Sequence, residues 1–200
     1  MKIVRTAAAL AAALPALALA DASTWTIDPA HTRVGFSVKH LVISDVKGEF
    51  LKAAGKATLD DKDLSRSSVE ANIATASIDT REPKRDTHLK SPDFLDAERC
   101  PELTFKSTKV EAKPDGTLKI FGDLTIRCNT KAVTLDGEIT KAITDPWGNT
   151  RRGFSATTKV NRRDFGVSWS GPTDAGPVVG DEVKIDIQAE LLKAKPGDKS

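Results

Sequence analysis

The chain has 200 residues, of which 39% are hydrophobic and 29% charged, with 30 Lys+Arg against 28 Asp+Glu and a formal net charge of +2. That length fits a single domain. The near-balanced charge excludes the strongly basic footprint of a nucleic-acid-binding protein.

The first twenty residues read as a segment apart from the fold. Lys2 and Arg5 make a short basic start, an Ala- and Leu-rich run follows to Leu19, and Ala18-Leu19-Ala20 forms a small-residue cleavage site before Asp21. This three-part pattern is that of a secretory signal peptide. Losing Lys2 and Arg5 removes the net charge of +2. No cysteine follows the cleavage site, so no lipoprotein anchor is expected, and no later apolar run approaches the roughly 18–20 residues of a membrane-spanning helix. The mature protein is expected to be soluble in an oxidising compartment, with a domain over residues 21–192 and a polar, disordered tail over 193–200.

The mature chain alternates with period two, the pattern of half-buried strands. Val34, Phe36, Val38 and His40 share one face of a first long strand. Val46, Gly48 and Phe50 continue into Gly55, Ala57 and Leu59 after a bulge expected near Ala53-Ala54. Val69, Ala71 and Ile73 follow. Leu103, Phe105 and Ser107 are joined to Leu118, Ile120, Gly122, Leu124 and Ile126 through Lys113-Pro114-Asp115-Gly116, a hairpin signal. The last three faces are Val133 to Ile139, Phe154 to Val160 and Val183 to Leu191.

Eight such strands predict an all-β, antiparallel eight-stranded barrel, because closure buries the apolar face and removes exposed edges. A two-sheet sandwich is the alternative. Several inward positions are small, among them Gly48, Gly55, Ala71, Gly122 and Gly137. They read either as room for a ligand in the interior or as close sheet packing. By parity, Phe36, Val38, Phe50, Ile73, Phe105, Leu124, Ile126, Val133, Leu135, Phe154, Val160 and Ile185 face inward.

Two segments break the alternation. Between Thr80 and Ala97, Glu82-Pro83 and Ser91-Pro92 bracket a short helical insertion. Between Asn161 and Gly180, Phe165, Val167 and Trp169 lie among Gly-Pro pairs, suiting a loop that covers one barrel end.

Motifs of catalysis are absent. Gly166-Val167-Ser168-Trp169-Ser170 is not a nucleophile elbow, and there is no His-Glu-x-x-His or phosphate-cradling glycine loop. His40, on the apolar parity, reads as a satisfied core residue. His31 and His88 fall outside clear strands, where they could meet at one barrel mouth. The carboxylates Asp60, Asp61 and Asp63, and Asp181 with Glu182, read as solvated turn residues. The pairs Arg151-Arg152 and Arg162-Arg163 read as exposed charge or as an anion clamp at the opening. For Cys100 and Cys128, export makes a disulfide the first reading, with separate thiols as the alternative. If Ala112 pairs with Thr117, Cys100 falls opposite about residue 129 across the hairpin, so a Cys100–Cys128 bridge would staple one barrel end.

In order along the chain, several blocks resemble the YceI-like family of periplasmic lipocalin-like proteins. They include Trp25-Thr26-Ile27-Asp28-Pro29-Ala30-His31-Thr32, Val46-Lys47-Gly48-Glu49-Phe50, Asp145-Pro146-Trp147-Gly148 and Arg163-Asp164-Phe165-Gly166. The most specific is Arg85-Asp86-Thr87-His88-Leu89-Lys90-Ser91-Pro92-Asp93-Phe94-Leu95-Asp96. The resemblance spans Trp25 to Leu191. It implies a periplasmic lipocalin-like barrel whose apolar pore holds a polyisoprenoid, including prenylquinones, and an association with stress responses. The inward residues above would then line the lipid site. His31, Arg85 and His88 are expected near the polar head group. The resemblance carries over no catalytic residue, metal or cofactor, and leaves open transient contact with a membrane or a quinone-linked membrane protein. Two other classes stay in view: an enzyme acting on a lipid head group with His31 or His88 as base, and a solid-core barrel without ligand.

Overall fold

A computed structural model describes residues 22–173 and 176–195. The expected signal peptide at 1–20 lies outside them, as do residues 196–200 of the expected tail. The elements are β1 (Ala22–His40), β2 (Ser44–Phe50), β3 (Ala53–Asp60), β4 (Ser68–Ala74), β5 (Ile78–Asp79), α1 (Pro83–Lys90), β6 (Glu102–Ala112), β7 (Thr117–Ile126), β8 (Asn129–Ile139), β9 (Ile143–Thr144), β10 (Thr150–Asn161), β11 (Pro172–Thr173), β12 (Gly176–Pro177) and β13 (Val179–Lys193).

Eight of these strands close into an antiparallel barrel in the order β1-β3-β4-β6-β7-β8-β10-β13, with β13 returning to β1. Closure pairs the backbone of the apolar strands along most of their length, apart from a short seam between β8 and β10. The long β1 serves two neighbours: Ala22–Thr26 pair with β3, and Val34–His40 pair with β2. The break between β2 and β3 falls at Leu51-Lys52, before the expected bulge at Ala53-Ala54, because β1 changes partner there. A second irregularity interrupts the β1–β13 register between Asp28 and Arg33. Pro29 stands in it, with no N–H to give to a ladder.

The strand directions define two ends. The lower end carries the start of β1, the β6–β7 and β8–β10 connections and the end of β13. The upper end carries the β1–β2 hairpin, α1, the 91–100 turns, the β7–β8 turn and the 162–178 connection. At the lower end Trp25 is fully buried. The Arg152 guanidinium lies over its ring at 5.5 Å and Lys193 Nζ at 5.7 Å. Lys193 still pairs with Trp25 in the β1–β13 ladder, and Ala194 N–H donates to Thr24 O at 2.8 Å. The ordered domain therefore runs past the expected boundary at 193.

The β6–β7 turn forms where Lys113-Pro114-Asp115-Gly116 indicates. Asp115 Oδ1 accepts the Thr117 N–H, and Gly116 takes φ +93°, which glycine adopts at no steric cost. A bulge between Ser107 and Lys109 shifts the pairing by one, setting Phe105 opposite Leu124. Helix α1 begins as its sequence suggests, with Pro83 at the first turn and the Glu82 carboxylate accepting Lys84 N–H.

Candidate functional site

The barrel encloses a cavity of about 250 Å³ whose exposed wall is apolar. Strand alternation builds this wall, since each wall strand turns alternate side chains inward. Of the twelve large apolar residues assigned to the lipid site from parity, all but Val133 line the cavity. The exception has a physical cause. β8 and β10 pair only from Asp136↔Thr157 to Ile139↔Phe154, and above that point the strands part. Thr158 Oγ1 bridges to Thr134 O at 2.8 Å, and the 3₁₀ turn Arg162–Phe165 packs beside β8. Val133 faces this seam.

The inward glycines do not create the cavity. A Cβ on Gly48 would stand 2.5 Å from Phe36 Cζ, and one on Gly122 would stand 2.5 Å from Phe105 Cζ. Those positions are small so that aromatic rings can lie across them, which is the close-packing reading. The empty volume lies further in, between the walls.

The upper ceiling comes from segments without alternation. Leu89, Phe94, Leu95, Phe165 and Val167 all reach the cavity. Phe94 packs against Trp169 and His88, with ring centroids 5.1 Å and 4.9 Å apart. Arg162 pins this ceiling. Its Nε donates to Gly180 O, Nη1 to Val167 O and Trp169 O, and Nη2 to Val179 O, with Asp181 at 3.2 Å. All five donors are used. Burial pushes the Arg162 guanidinium down from its ordinary value. Arg162 is thus a structural peg, neither exposed charge nor an anion clamp, while its neighbour Arg163 pairs with Asp181 at the surface.

The three residues expected at a lipid head group are not brought together. His31 is carried by the β1 irregularity onto the outer wall, where Nδ1 bonds Asp28 Oδ2 at 2.9 Å. This corrects the expectation that it sits at a mouth with His88. Arg85 is spent locally: Nε donates to Thr80 Oγ1 and Nη2 to Thr80 O, both at 2.8 Å, while Thr80 Oγ1 donates to Asp86. Only His88 lies over the cavity's end, its Nε2 3.0 Å from Asp93 Oδ2 and its ring edge-on to Phe94 and Trp169. His40 is half-buried at the upper rim and lies outside the core clusters, contrary to the core reading, because β1 ends there.

Asp28, His31 and Glu190 place ligand atoms within 4.8 Å of one another. Arg151 already occupies their centre, with Nη1 2.7 Å from both Asp28 and Glu190 and Nε 2.8 Å from Asp145. The Arg151 hydrogen bond, helped by His31, lowers the Asp28 carboxyl to about 2. The Arg151 hydrogen bond likewise lowers Asp145 to about 2. This is an ion-pair cluster on the outer wall. Asp60 also departs from expectation. It is buried, accepts the N–H groups of Lys62 and Asp63 and meets Arg66 at 2.5 Å, so it organises its turn from inside.

Cys100 and Cys128 are joined by a disulfide with Cα atoms 5.5 Å apart. Cys128 sits with Arg127 in the tight β7–β8 turn, both at positive φ, so the strand pleat does not set its direction. The bridge ties that turn to the 91–100 segment under the ceiling. Among the described residues no thiol is free.

The comparisons fit this architecture. A UPF0312 protein of Vibrio cholerae is 39% identical over 173 residues, covering 86% of this chain and 92% of its own. The crystal structure of a Campylobacter jejuni YCEI protein superposes with a TM-score of 0.68 at 33% identity, covering 84% of this chain and 96% of that one. A polyisoprenoid binding domain from Saccharophagus degradans shares the fold with a TM-score of 0.64 at 10% identity, covering 85% and 98% of the two chains. The model of the YceI-like domain matches residues 25–191, and the chain belongs to that family.

Proposed function

We propose that the barrel is a binding or carrier protein for a long-chain isoprenoid lipid, of polyprenyl or prenylquinone type, held by its tail in the periplasm. The observation that carries the reading is the cavity, whose exposed wall is apolar and whose buried cation, Arg162, has no donor left for a ligand. Such a cavity selects hydrocarbon and offers nothing for acid–base chemistry. The Saccharophagus degradans neighbour, a polyisoprenoid binding domain, supports the same ligand class. The basic start, apolar run and small-residue cleavage site at residues 1–20 support export.

The energetics suit exchange. Burial is worth roughly 0.8 kcal/mol per methylene-sized group, so ten buried carbons give about 8 kcal/mol gross. Lost freedom offsets at least ~4 kcal/mol of that. The head group then lies at the upper end, where His88 and Trp169 top the ceiling.

The test is uptake of a fluorescent polyprenyl probe from detergent micelles by wild type and by Leu135→Trp. Leu135 is a buried wall residue, and indole there fills the tunnel. Uptake is expected to fall at least tenfold in a variant whose circular dichroism stays native. A folded Leu135→Trp protein that takes up probe like wild type would contradict the tunnel.

A further inference from the structure

We propose that the β1–β2 hairpin tip, Leu41-Val42-Ile43, inserts into an anionic lipid bilayer and seats the upper end of the barrel on the membrane. The inference rests on the lipid-carrier reading above and names the surface with which the ligand is exchanged.

The tip is built against local preference. His40 pairs with Ser44 across a three-residue connection in which Ile43 N–H donates to His40 O and Leu41 and Val42 have φ +51° and +63°. Such turns favour Asn-Gly, and a β-branched residue at positive φ is sterically strained. The β7–β8 turn has the same signs at Arg127 and Cys128, and there the disulfide and Arg127's bonds to Gly166 O and Pro92 O hold it. At the β1–β2 tip the strain presents apolar side chains to solvent: Val42 is 60% exposed and Ile43 81% exposed. The Leu41 N–H is bonded to Val178 O at 2.9 Å, which fixes the tip's base against Val178.

The tip continues the cavity wall. Phe36 and Val38 line the cavity, β1 ends at His40, about 7 Å beyond Val38 at ~3.3 Å per residue, and the tip turns over from there. A hydrocarbon leaving by the upper end meets the tip next. Of the other exposed large apolar residues, Leu51 stands alone between β2 and β3, and Ile143 and Trp147 lie at the lower end, which Trp25, Arg152 and Lys193 seal.

The surrounding charge fits an anionic surface. Below the tip, Asp45 pairs with Lys39, Glu182 with Lys159, Glu49 and Asp186 with Arg33, and Asp181 with Arg162 and Arg163. Lys47 and Lys184 flank Ser37 from either side on the exposed face and have no carboxylate partner among the described residues. These five acids are matched by five basic side chains, while Lys47 and Lys184, level with Ser37 on the outer wall below the tip, add positive charge that attracts an anionic surface. Apolar insertion combined with lysine attraction is the usual basis of reversible membrane docking.

The experiment is co-sedimentation of the mature protein with isoprenoid-free vesicles of phosphatidylcholine alone or with phosphatidylglycerol. It compares wild type, the triple variant Leu41→Asn/Val42→Gly/Ile43→Thr, and the pair Lys47→Glu/Lys184→Glu. The triple variant installs the favoured turn, so its fold is expected to be at least as stable as wild type. Binding to phosphatidylglycerol vesicles is expected to fall at least tenfold in the triple variant and severalfold in the lysine pair, and wild-type binding is expected to weaken in high salt. Wild type that ignores both vesicle types, or a triple variant that binds like wild type, overturns the proposal. So does a concentration-dependent dimer that the triple variant abolishes, since a second copy would then own the tip. Probe uptake from micelles needs no bilayer, so a wild type that fails there defeats the carrier reading separately.

Discussion

Replacing both Cys100 and Cys128 by alanine tests how much the upper end depends on its staple. The bridge closes a loop spanning 28 residues of separation. In the chain-entropy description a loop of that size restricts the unfolded chain by about 3.5 kcal/mol. For a domain of this length each kcal/mol moves the midpoint by about 2–4 °C, so the double variant is expected to melt about 7–14 °C below wild type. The strands of the wall keep their ladders, so circular dichroism at 20 °C is expected to stay native. The loss should concentrate at the upper end, where Cys100 O accepts Thr75 Oγ1 at 2.7 Å and Cys128 shares its turn with Arg127. Bound probe should therefore dissociate faster from the double variant than from wild type. Thermal melts with and without reductant, together with thiol alkylation of unreduced protein, make the assay. A midpoint within about 2 °C of wild type, or two freely alkylated thiols in native protein, would refute the reasoning.

Three further outcomes follow from the geometry. Arg162→Met should lower stability by at least ~3 kcal/mol in urea titration, because it strands carbonyls that one guanidinium now serves; an unchanged midpoint would show that the ceiling does not need the peg. Val133→Trp should leave probe uptake near wild type while Leu135→Trp abolishes it, since Val133 faces the β8–β10 seam; equal loss in both would show that the seam belongs to the ligand site. The Asp28 and Asp145 carboxyls are lowered from 3.8 to about 2, so their contribution is full above about 3.8 and is lost as pH falls towards 2. Arg151→Gln should therefore flatten the dependence of the urea midpoint on pH between about 4 and 2, and a slope equal to that of wild type would contradict the assignment.

The wall was legible in the sequence because each wall strand is buried on one side only, so parity reports direction. The parity reading failed where pairing fails, at Val133 above the end of the β8–β10 ladder. The ceiling was barely legible: Phe94, Leu95, Phe165 and Val167 sit in segments whose chain path follows no period, and their apolar character among Pro, Gly and Asp was the sole signal. Arg162 and Arg163 look alike in sequence, yet the 3₁₀ turn points one inward and one outward. Asp60 resembles its neighbour Asp61, but only Asp60 is buried by the turn it organises. His31 left the mouth because the Pro29 irregularity turns it to the outer wall, which a histidine's position in the chain does not announce.

The central claim is that the cavity holds an isoprenoid tail. Its most direct test is mass spectrometry of lipid extracted from protein purified without detergent from the exported fraction of its host. A prenyl lipid is expected at close to one per barrel, with much less of it on Leu135→Trp. Protein that carries no prenyl lipid and takes none up when offered would contradict it.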